Sequence, residues 1–189
     1  TLKVLLMVGG WGTKADGFSQ MARDSKKRLA FAENCKKIID EFGIDGFDID
    51  WEYPTSSSSG IQATTADTEN FTLMMRDIRR RIGTDKLLTF ASSSSAKYVD
   101  FAKVKKYIDY VNVMTYDMGD PPYHNSPLYH SVMTKSISAE ESIDKHIAAG
   151  IPANWLNLGI PFYGHGDGTN FTSDVTYNAM SAIFTSGKY

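Results

Sequence analysis

Asp48, Asp50 and Glu52 lie at alternate positions of one short segment, residues 45–54. Because successive side chains of a β-strand point to opposite faces, the three acids share one face and the apolar residues between them share the other. Carboxylates crowded on one face lose water and repel one another, so at least one should keep its proton above the reference pKa of about 4. Such perturbed acids are concentrated in active sites, so the segment predicts acid–base chemistry.

Two other interpretations of these acids stay open. Acids on a strand can be solvated at an open sheet edge, but three consecutive positions of one face would then have to be exposed while the other face is buried. A metal site would need further ligands, and no pair at helical ligand spacing is found among the four histidines, His124, His130, His146 and His165. We therefore expect neither a metal nor a cofactor.

Short apolar runs alternate with amphipathic helical patterns along the chain. The runs predict five strands, at residues 3–8, 45–51, 87–91, 109–115 and 155–160. The helices between them should begin or end at or near Asp24, Gly43, Gly83, Asp100, Ser138 (in a capping box with Glu141), Gly150 and Ser173.

This alternation implies parallel strands joined by crossover helices. An open doubly wound sheet and a closed (β/α)8 TIM barrel both fit it. Charged and aromatic residues cluster where strands end, as in barrel active sites, and no glycine-rich phosphate loop follows any strand. A complete barrel usually needs about 250 residues. The 189 residues, with five strand–helix units, therefore predict an incomplete (β/α)8 barrel of the α/β class.

The amino-acid composition argues against several classes of binding partner. The net charge of −2 argues against nucleic-acid binding, and no apolar run approaches the roughly 20 residues of a membrane span. The single cysteine, Cys35, lies on the apolar stripe of a helix and is expected to be a buried thiol. Two glycosylation sequons, at Asn70 and Asn170, are read as chance occurrences.

Four segments, in the right order, resemble the motifs of glycoside hydrolase family 18, the chitinase family. The acidic segment resembles the family signature, and the other three are similar to motifs of its third, sixth and seventh strands. They are residues 8–11 (VGGW), 114–117 (MTYD) and 159–164 (GIPFYG). The resemblance spans residues 1–189 and implies a partial catalytic barrel with about strands 3 to 7.

The resemblance implies retaining hydrolysis in which the substrate's acetamido group replaces an enzymatic nucleophile, a known exception to the two-carboxylate scheme. Glu52 would be the general acid and then the base. Asp50 would orient the acetamido group, and Asp48 would share a proton with Asp50 from behind. Tyr116 would bind the acetamido oxygen.

The resemblance also implies a sugar-binding surface. Trp11 would be a stacking platform, and further contacts would come from Gly10, Tyr53, Met114, Asp117 and Tyr163. Trp51 and Trp155 are expected to be structural. The implied substrate is chitin or chitooligosaccharide, and the implied protein is secreted and, at full length, monomeric. The first residues resemble a strand and not a signal peptide.

The match departs from the family pattern at two positions. Valine stands at position 8, where the family often has a serine that helps to hold the inner aspartates. Histidine stands at position 165, where arginine is frequent, so His165 is not counted as a site residue. No segment matches the family's first two strands or its eighth, which normally carries a tryptophan. Five strands alone would leave two unpaired sheet edges, which predicts aggregation or poor activity of the isolated chain.

Three functions remain open after this comparison. The first is a chitinase, and the second is an endo-β-N-acetylglucosaminidase that cleaves N-glycans with the same chemistry. The third is a chitin-binding lectin on the same fold, since a fold alone does not fix function. Lectin relatives have typically lost the glutamate, so the presence of Glu52 favours catalysis.

Overall fold

Five parallel strands form one sheet in which spatial order follows chain order. The computed structural model describes residues 2–168 and 174–186. Each strand pairs with the next one along the chain, in the order β1-β2-β3-β4-β5. The strands are β1 (Leu5–Gly10), β2 (Gly46–Trp51), β3 (Leu87–Ser93), β4 (Tyr110–Met114) and β5 (Leu156–Leu158).

Helices connect the strands and pack on one face of the sheet. They are α1 (Phe18–Ala22), α2 (Ser25–Phe42), α3 (Asp67–Ile82), α4 (Phe101–Val104) and α5 (Ala139–Ala148). After β5 follow a two-stranded antiparallel sheet of β6 (Tyr163–Gly164) and β7 (Val175–Thr176), and then α6 (Tyr177–Ser186). None of the described helices is long and apolar enough to cross a membrane.

The core lies between the sheet and these helices. On β2 the apolar residues of the 45–54 segment are fully buried in it, whereas the alternating acids face the other side of the sheet. The indole of Trp51 stacks on Phe18 with ring centroids 5.3 Å apart. The prediction of two faces with opposite chemistry is therefore confirmed, and Trp51 belongs to the core. Trp155 also packs partly against the core, as expected.

Two glycines allow neighbouring strands to approach β2. A Cβ at Gly46 would lie 2.0 Å from the carbonyl oxygen of Leu87 on β3. A Cβ at Gly9 would lie 1.9 Å from the carbonyl oxygen of Asp50, and the φ of Gly9 is +122°. Side chains at either position would push β2 away from its partners and displace the acids.

A buried ion pair fixes α2 against α3. Arg28 Nε lies 2.9 Å from Asp77 Oδ2, and Arg28 Nη1 donates to the carbonyl oxygen of Ala22. Both side chains of the pair are almost completely buried. Because water cannot replace either partner, the pair makes the α2–α3 packing sensitive to the loss of one charge.

The helix caps expected from the sequence are observed. Asp24 caps α2, Asp100 caps α4, and Ser138 forms a capping box with Glu141 at the start of α5. Cys35 is buried, and burial raises the pKa of its thiol to about 12, so it is an unreactive core group.

The strand predictions are confirmed with shifts of at most two residues at their ends. The prediction for the first strand begins and ends two residues too early, and that for the fifth is twice as long as β5. Asn70 is only 9% exposed on α3, which supports the interpretation of its sequon as chance. Asn170 and Ser173 lie outside the described residues.

The fold class is α/β, as predicted, and the sheet is open. Its edge strands are β1 and β5. Large apolar side chains are exposed on or next to both, namely Leu6, Met7, Leu158 and Ile160. An open five-stranded parallel sheet with these exposed edges corresponds to the incomplete barrel expected from the sequence.

Candidate active site

A pocket of about 540 Å³ lies at the carboxyl ends of β1 to β4. Its walls come from residues at or just after the ends of those strands, as in barrel enzymes. They are Trp11, Asp50, Glu52, Tyr53, Ser93, Ser94, Met114, Tyr116 and Asp117. The lining combines carboxyl, hydroxyl and aromatic groups, which suits a ligand with both polar groups and apolar faces.

Glu52 stands at the end of β2, half-buried in this pocket. Ser59 Oγ donates to its carbonyl oxygen at 2.6 Å, and the peptide bond that follows it is cis. Burial raises the pKa of the Glu52 carboxyl above its usual range, a hydrogen bond from Tyr53 opposes this, and the charge of Asp117 raises it further. Glu52 is thus an acid with an increased affinity for its proton.

Asp50 is more deeply buried than Glu52. It is 8% exposed, and its Oδ1 has no hydrogen-bond partner among the described residues. Burial, followed by the charges of Glu52 and Asp48, raises the pKa of Asp50 to about 7. A buried acceptor without a donor is costly, so this oxygen is prepared to accept a hydrogen bond from a ligand.

Asp48 lies behind the pocket, toward the start of β2. Its Oδ1 accepts from Thr89 Oγ1 on β3 and from Asn112 Nδ2 on β4, the latter at 2.9 Å. Asn157 Nδ2 in turn donates to Asn112 Oδ1 at 2.8 Å, which fixes the direction of the Asn112 amide. Burial raises the pKa of Asp48, while Thr89 and Asn112 lower it.

The shared proton expected between Asp48 and Asp50 is not among the hydrogen bonds of the described residues. Asp48 is instead satisfied by Thr89 and Asn112. These two donors compensate for the hydroxyl that is absent at Val8, because each stabilises the ionised form of Asp48. Asp48 therefore acts on Asp50 through its charge, which raises the pKa of Asp50.

Aromatic rings line one side of the pocket. Trp11 is 61% exposed, and its ring meets that of Tyr53 edge-on at 6.2 Å. Tyr53 stacks on Tyr98 with centroids 4.7 Å apart and planes 11° apart. An exposed indole beside a fixed phenol offers flat apolar faces for the C–H faces of a sugar ring.

Tyr116 also lines the pocket and follows β4, whose last residue is Met114. A Cβ at Gly159 would lie 2.7 Å from the Tyr116 ring, so this glycine makes room for the phenol beside β5. Burial and the charges of Asp50 and Glu52 raise the pKa of Tyr116. Its hydroxyl therefore stays protonated and can donate to an acceptor in the pocket.

Asp117 is held from outside the pocket by two donors. Its Oδ1 accepts from the Tyr163 hydroxyl at 2.6 Å and from His165 Nε2 at 2.9 Å. Its backbone N–H donates to Asn125 Oδ1, and its φ is +55°. Tyr163 thus reaches the pocket through Asp117 and does not form part of the lining.

Seven of the ten residues expected at the site line the pocket. Asp48 lies behind it, Tyr163 lies beside it, and Gly10 shapes the turn before Trp11 with a φ of +115°. The residues that the sequence analysis missed or set aside are Thr89, Ser93, Ser94, Tyr98, Asn112, Asn157 and His165. Alternation along β3 and β4 could have found Thr89, Ser93 and Asn112, since they lie on the same face of the sheet as Asp48 and Met114.

Within residues 2–168 and 174–186, no group of three or more His, Cys, Asp or Glu side chains is arranged to hold a metal ion. His165 contacts two carboxylates, but through opposite ring nitrogens, so these groups do not converge on one point.

A parallel α/β sheet with an acid-lined pocket at the carboxyl ends of its strands is the arrangement on which (β/α)8-barrel active sites are built. The chain belongs to the glycosyl hydrolases family 18, whose sequence profile matches residues 1–184.

Relatives and solved structures agree with this assignment. Chitinase A1 of Niallia circulans is 34% identical over 188 residues, covering 87% of this chain and 27% of that protein. The chitinase domain of the spore coat protein CotE from Clostridium difficile superimposes with a TM-score of 0.88 at 38% identity, over 95% of this chain and 54% of that one.

A third comparison is with a family 18 N-acetylglucosaminidase from Paenibacillus barengoltzii. Its TM-score is 0.79 at 36% identity, and the match covers 86% of this chain and 52% of that one. The chain thus spans about a quarter of the curated relative and about half of each of these two solved chains.

Proposed function

We propose that this chain carries the catalytic centre of a secreted chitinase, within a partial family 18 barrel formed by residues 1–189. The substrate would be a β-1,4-linked polymer of N-acetylglucosamine. The observation that carries the proposal is the pair formed by Asp50 and Glu52, in which a buried oxygen without a donor lies beside a second acid of raised pKa. Family membership and chitinase relatives support it.

The charge of Glu52 raises the pKa of Asp50, so the protonation states of the two acids depend on each other. Burial raises the pKa of both acids, so Asp50 as well as Glu52 can hold a proton in the free protein. An acetamide N–H of the substrate would donate to Asp50 Oδ1 and favour its ionised form. The proton then moves to Glu52, and substrate binding itself prepares the acid.

Hydrolysis follows in two steps. In the first, Glu52 protonates the glycosidic oxygen as the bond to the anomeric carbon breaks, and the acetamido carbonyl oxygen attacks that carbon to form an oxazolinium ion. Asp50 balances the positive charge, and Tyr116 donates a hydrogen bond to the acetamido oxygen. In the second, the Glu52 carboxylate removes a proton from water, which opens the ring with retained configuration.

The test is the release of sugar by Glu52→Gln in the complete protein. General acid–base catalysis contributes about 10²- to 10⁴-fold, so release from chitin should fall by at least that factor while chitin binding persists. Glu140→Gln, on the exposed surface of α5, is the matched control and should retain full activity. Undiminished release by Glu52→Gln would contradict the proposal.

The substrate is tested in the same assay. A chitinase releases chitooligosaccharides from chitin, an N-acetylglucosaminidase like the Paenibacillus relative is expected to release single sugars, and an endo-β-N-acetylglucosaminidase releases glycans from glycoprotein. Binding without release by the unaltered protein would identify a lectin. The products therefore separate the four outcomes.

A further inference from the structure

His165 lies between two carboxylates at the edge of the pocket. Its Nε2 is 2.9 Å from Asp117 Oδ1, and its Nδ1 is 2.9 Å from Asp174 Oδ1. The imidazole is 18% exposed, whereas the side chains of Asp117 and Asp174 are 56% and 68% exposed. The ring is therefore enclosed while both of its partners stay in contact with water.

This geometry determines the charge of the ring. An ionised carboxylate can only accept hydrogen bonds, so each ring nitrogen must donate one. Only the imidazolium carries an N–H on both nitrogens. The hydrogen bond with Asp174 is the main cause that raises the pKa of His165; burial opposes it, and Asp117 adds to the increase.

The groups that face His165 come from three segments. Asp117 follows β4, Asp174 precedes β7, and Tyr163 lies on β6 with its ring 5.9 Å from the imidazole, edge to face. Glu52 and Tyr116 lie beyond Asp117, and the charge of Asp117 raises the pKa of both. The two carboxyl groups in contact with the ring among the described residues both favour the imidazolium.

His165 acts on the pocket through Asp117. Asp117 lines the pocket, and its Oδ1 is shared by the Tyr163 hydroxyl and the imidazole. The exposed side chain of Asp117 would lose one of its two fixed donors if the imidazole released Nε2–H.

We propose that His165 is a positioning residue that, as an imidazolium, holds Asp117 in the geometry that binds the sugar, and that loss of its proton releases Asp117. The inference rests on the proposed function, because it assigns Asp117 a sugar contact. It makes substrate affinity dependent on pH at a position where the family frequently has arginine, a permanent cation.

The direction in which substrate affinity changes with pH follows from the raised pKa of His165. The imidazolium is fully formed below the ordinary histidine value of about 6.5 and is lost as the pH rises through the higher value of the folded protein. Neutral imidazole keeps one N–H, and because the hydrogen bond with Asp174 is the main cause of the raised pKa, Asp174 should keep this donor while Asp117 is released. Affinity should therefore weaken on the alkaline side.

The first experiment measures KM and kcat of the complete protein on a chitooligosaccharide between pH 5 and 9. For the unaltered protein, KM should rise about two- to fivefold with increasing pH, the range expected for a largely exposed ion pair. His165→Arg should keep KM flat, and His165→Gln should have the higher KM at every pH. The changes should lie in KM more than in kcat, because Asp117 contacts the sugar before and during the reaction.

His130→Gln is the matched control, since His130 is an exposed histidine that pairs with Glu141 away from the pocket. It should retain the pH profile of the unaltered protein. Identical profiles for the unaltered protein and His165→Arg would overturn the proposal, and so would a KM of His165→Gln that equals the unaltered value at low pH.

The second experiment does not depend on activity. Nitrogen-detected NMR titration of the histidines should show that both ring nitrogens of His165 keep their protons to a higher pH than an ordinary histidine does, with a pKa that falls in Asp174→Asn and again in Asp117→Asn. If no substrate is hydrolysed but this titration behaves as expected, the proposed function fails and the ion-pair geometry stands. A His165 pKa that is unchanged in both variants would refute the positioning role.

Discussion

Replacing Asp50 by asparagine should stabilise the protein while it abolishes catalysis. In the folded protein the pKa of Asp50 is about 7, whereas in an unfolded chain it is near the reference value of 3.8. The folded state therefore binds the proton more tightly, and stability falls as the pH rises from about 4 to about 7. Asparagine has a similar shape and carries no charge, so the variant should not lose stability in this way as the pH rises.

The magnitude follows from the same two values. One pKa unit corresponds to about 1.4 kcal/mol, so the cost of the Asp50 charge approaches about 4 kcal/mol above pH 7. We expect a gain of about 2 to 4 kcal/mol in the unfolding free energy of Asp50→Asn at pH 8, since water can enter the pocket and relieve part of the cost. The gain should become small near pH 4, where the folded state is protonated and the unfolded state is about half protonated, and should disappear at lower pH.

Urea unfolding at pH 4, 6 and 8 measures this difference. The fluorescence of Trp51 is a suitable signal because its indole is buried in the core next to β2. Asp144→Asn, on the exposed face of α5, is the matched control and should change stability little at any pH. If Asp50→Asn were less stable than the unaltered protein at pH 8, or if its gain did not depend on pH, the account of Asp50 as a buried charge would be refuted.

Four further predictions concern the scaffold. Asp77→Ala leaves Arg28 buried without its partner and should cost about 3 to 5 kcal/mol in unfolding free energy, measured by urea titration. Gly9→Ala should lower the melting temperature far more than Gly10→Ala, because both have positive φ but only a Cβ at Gly9 meets the backbone of β2. Asn112→Ala removes a donor to Asp48, so the pKa of the Asp48 carboxyl should rise, which carboxyl-detected NMR titration measures. The isolated chain should self-associate through β1 and β5 in analytical ultracentrifugation, and a stable monomer would contradict this.

Local sequence determined most of the fold. Alternation on β2 predicted which side chains face the core, and Asp24, Asp100 and Ser138 predicted where helices begin. These features depend on neighbours within a few residues, so a pattern of period two or a cap is visible without the fold. Strand ends were less well predicted because pairing with the next strand decides them.

Contacts between distant segments were not predictable in this way. Asn112 reaches Asp48 across β3, and His165 meets Asp117 from 48 positions away. Tyr98 fixes Tyr53 by a stacking contact between separate loops. No local pattern marks such pairs, and a departure from the family's arginine had led to the exclusion of His165.

The sequence by itself determined that three acids share one face of a strand and that aromatic residues follow the neighbouring strands. Only the tertiary structure decided how the proton is distributed among them. Thr89 on β3 and Asn112 on β4 donate to Asp48, whereas Asp50 Oδ1 has no donor among the described residues. Proton affinity depends on burial and on charges brought together by folding, and neither quantity is a property of the residues taken singly.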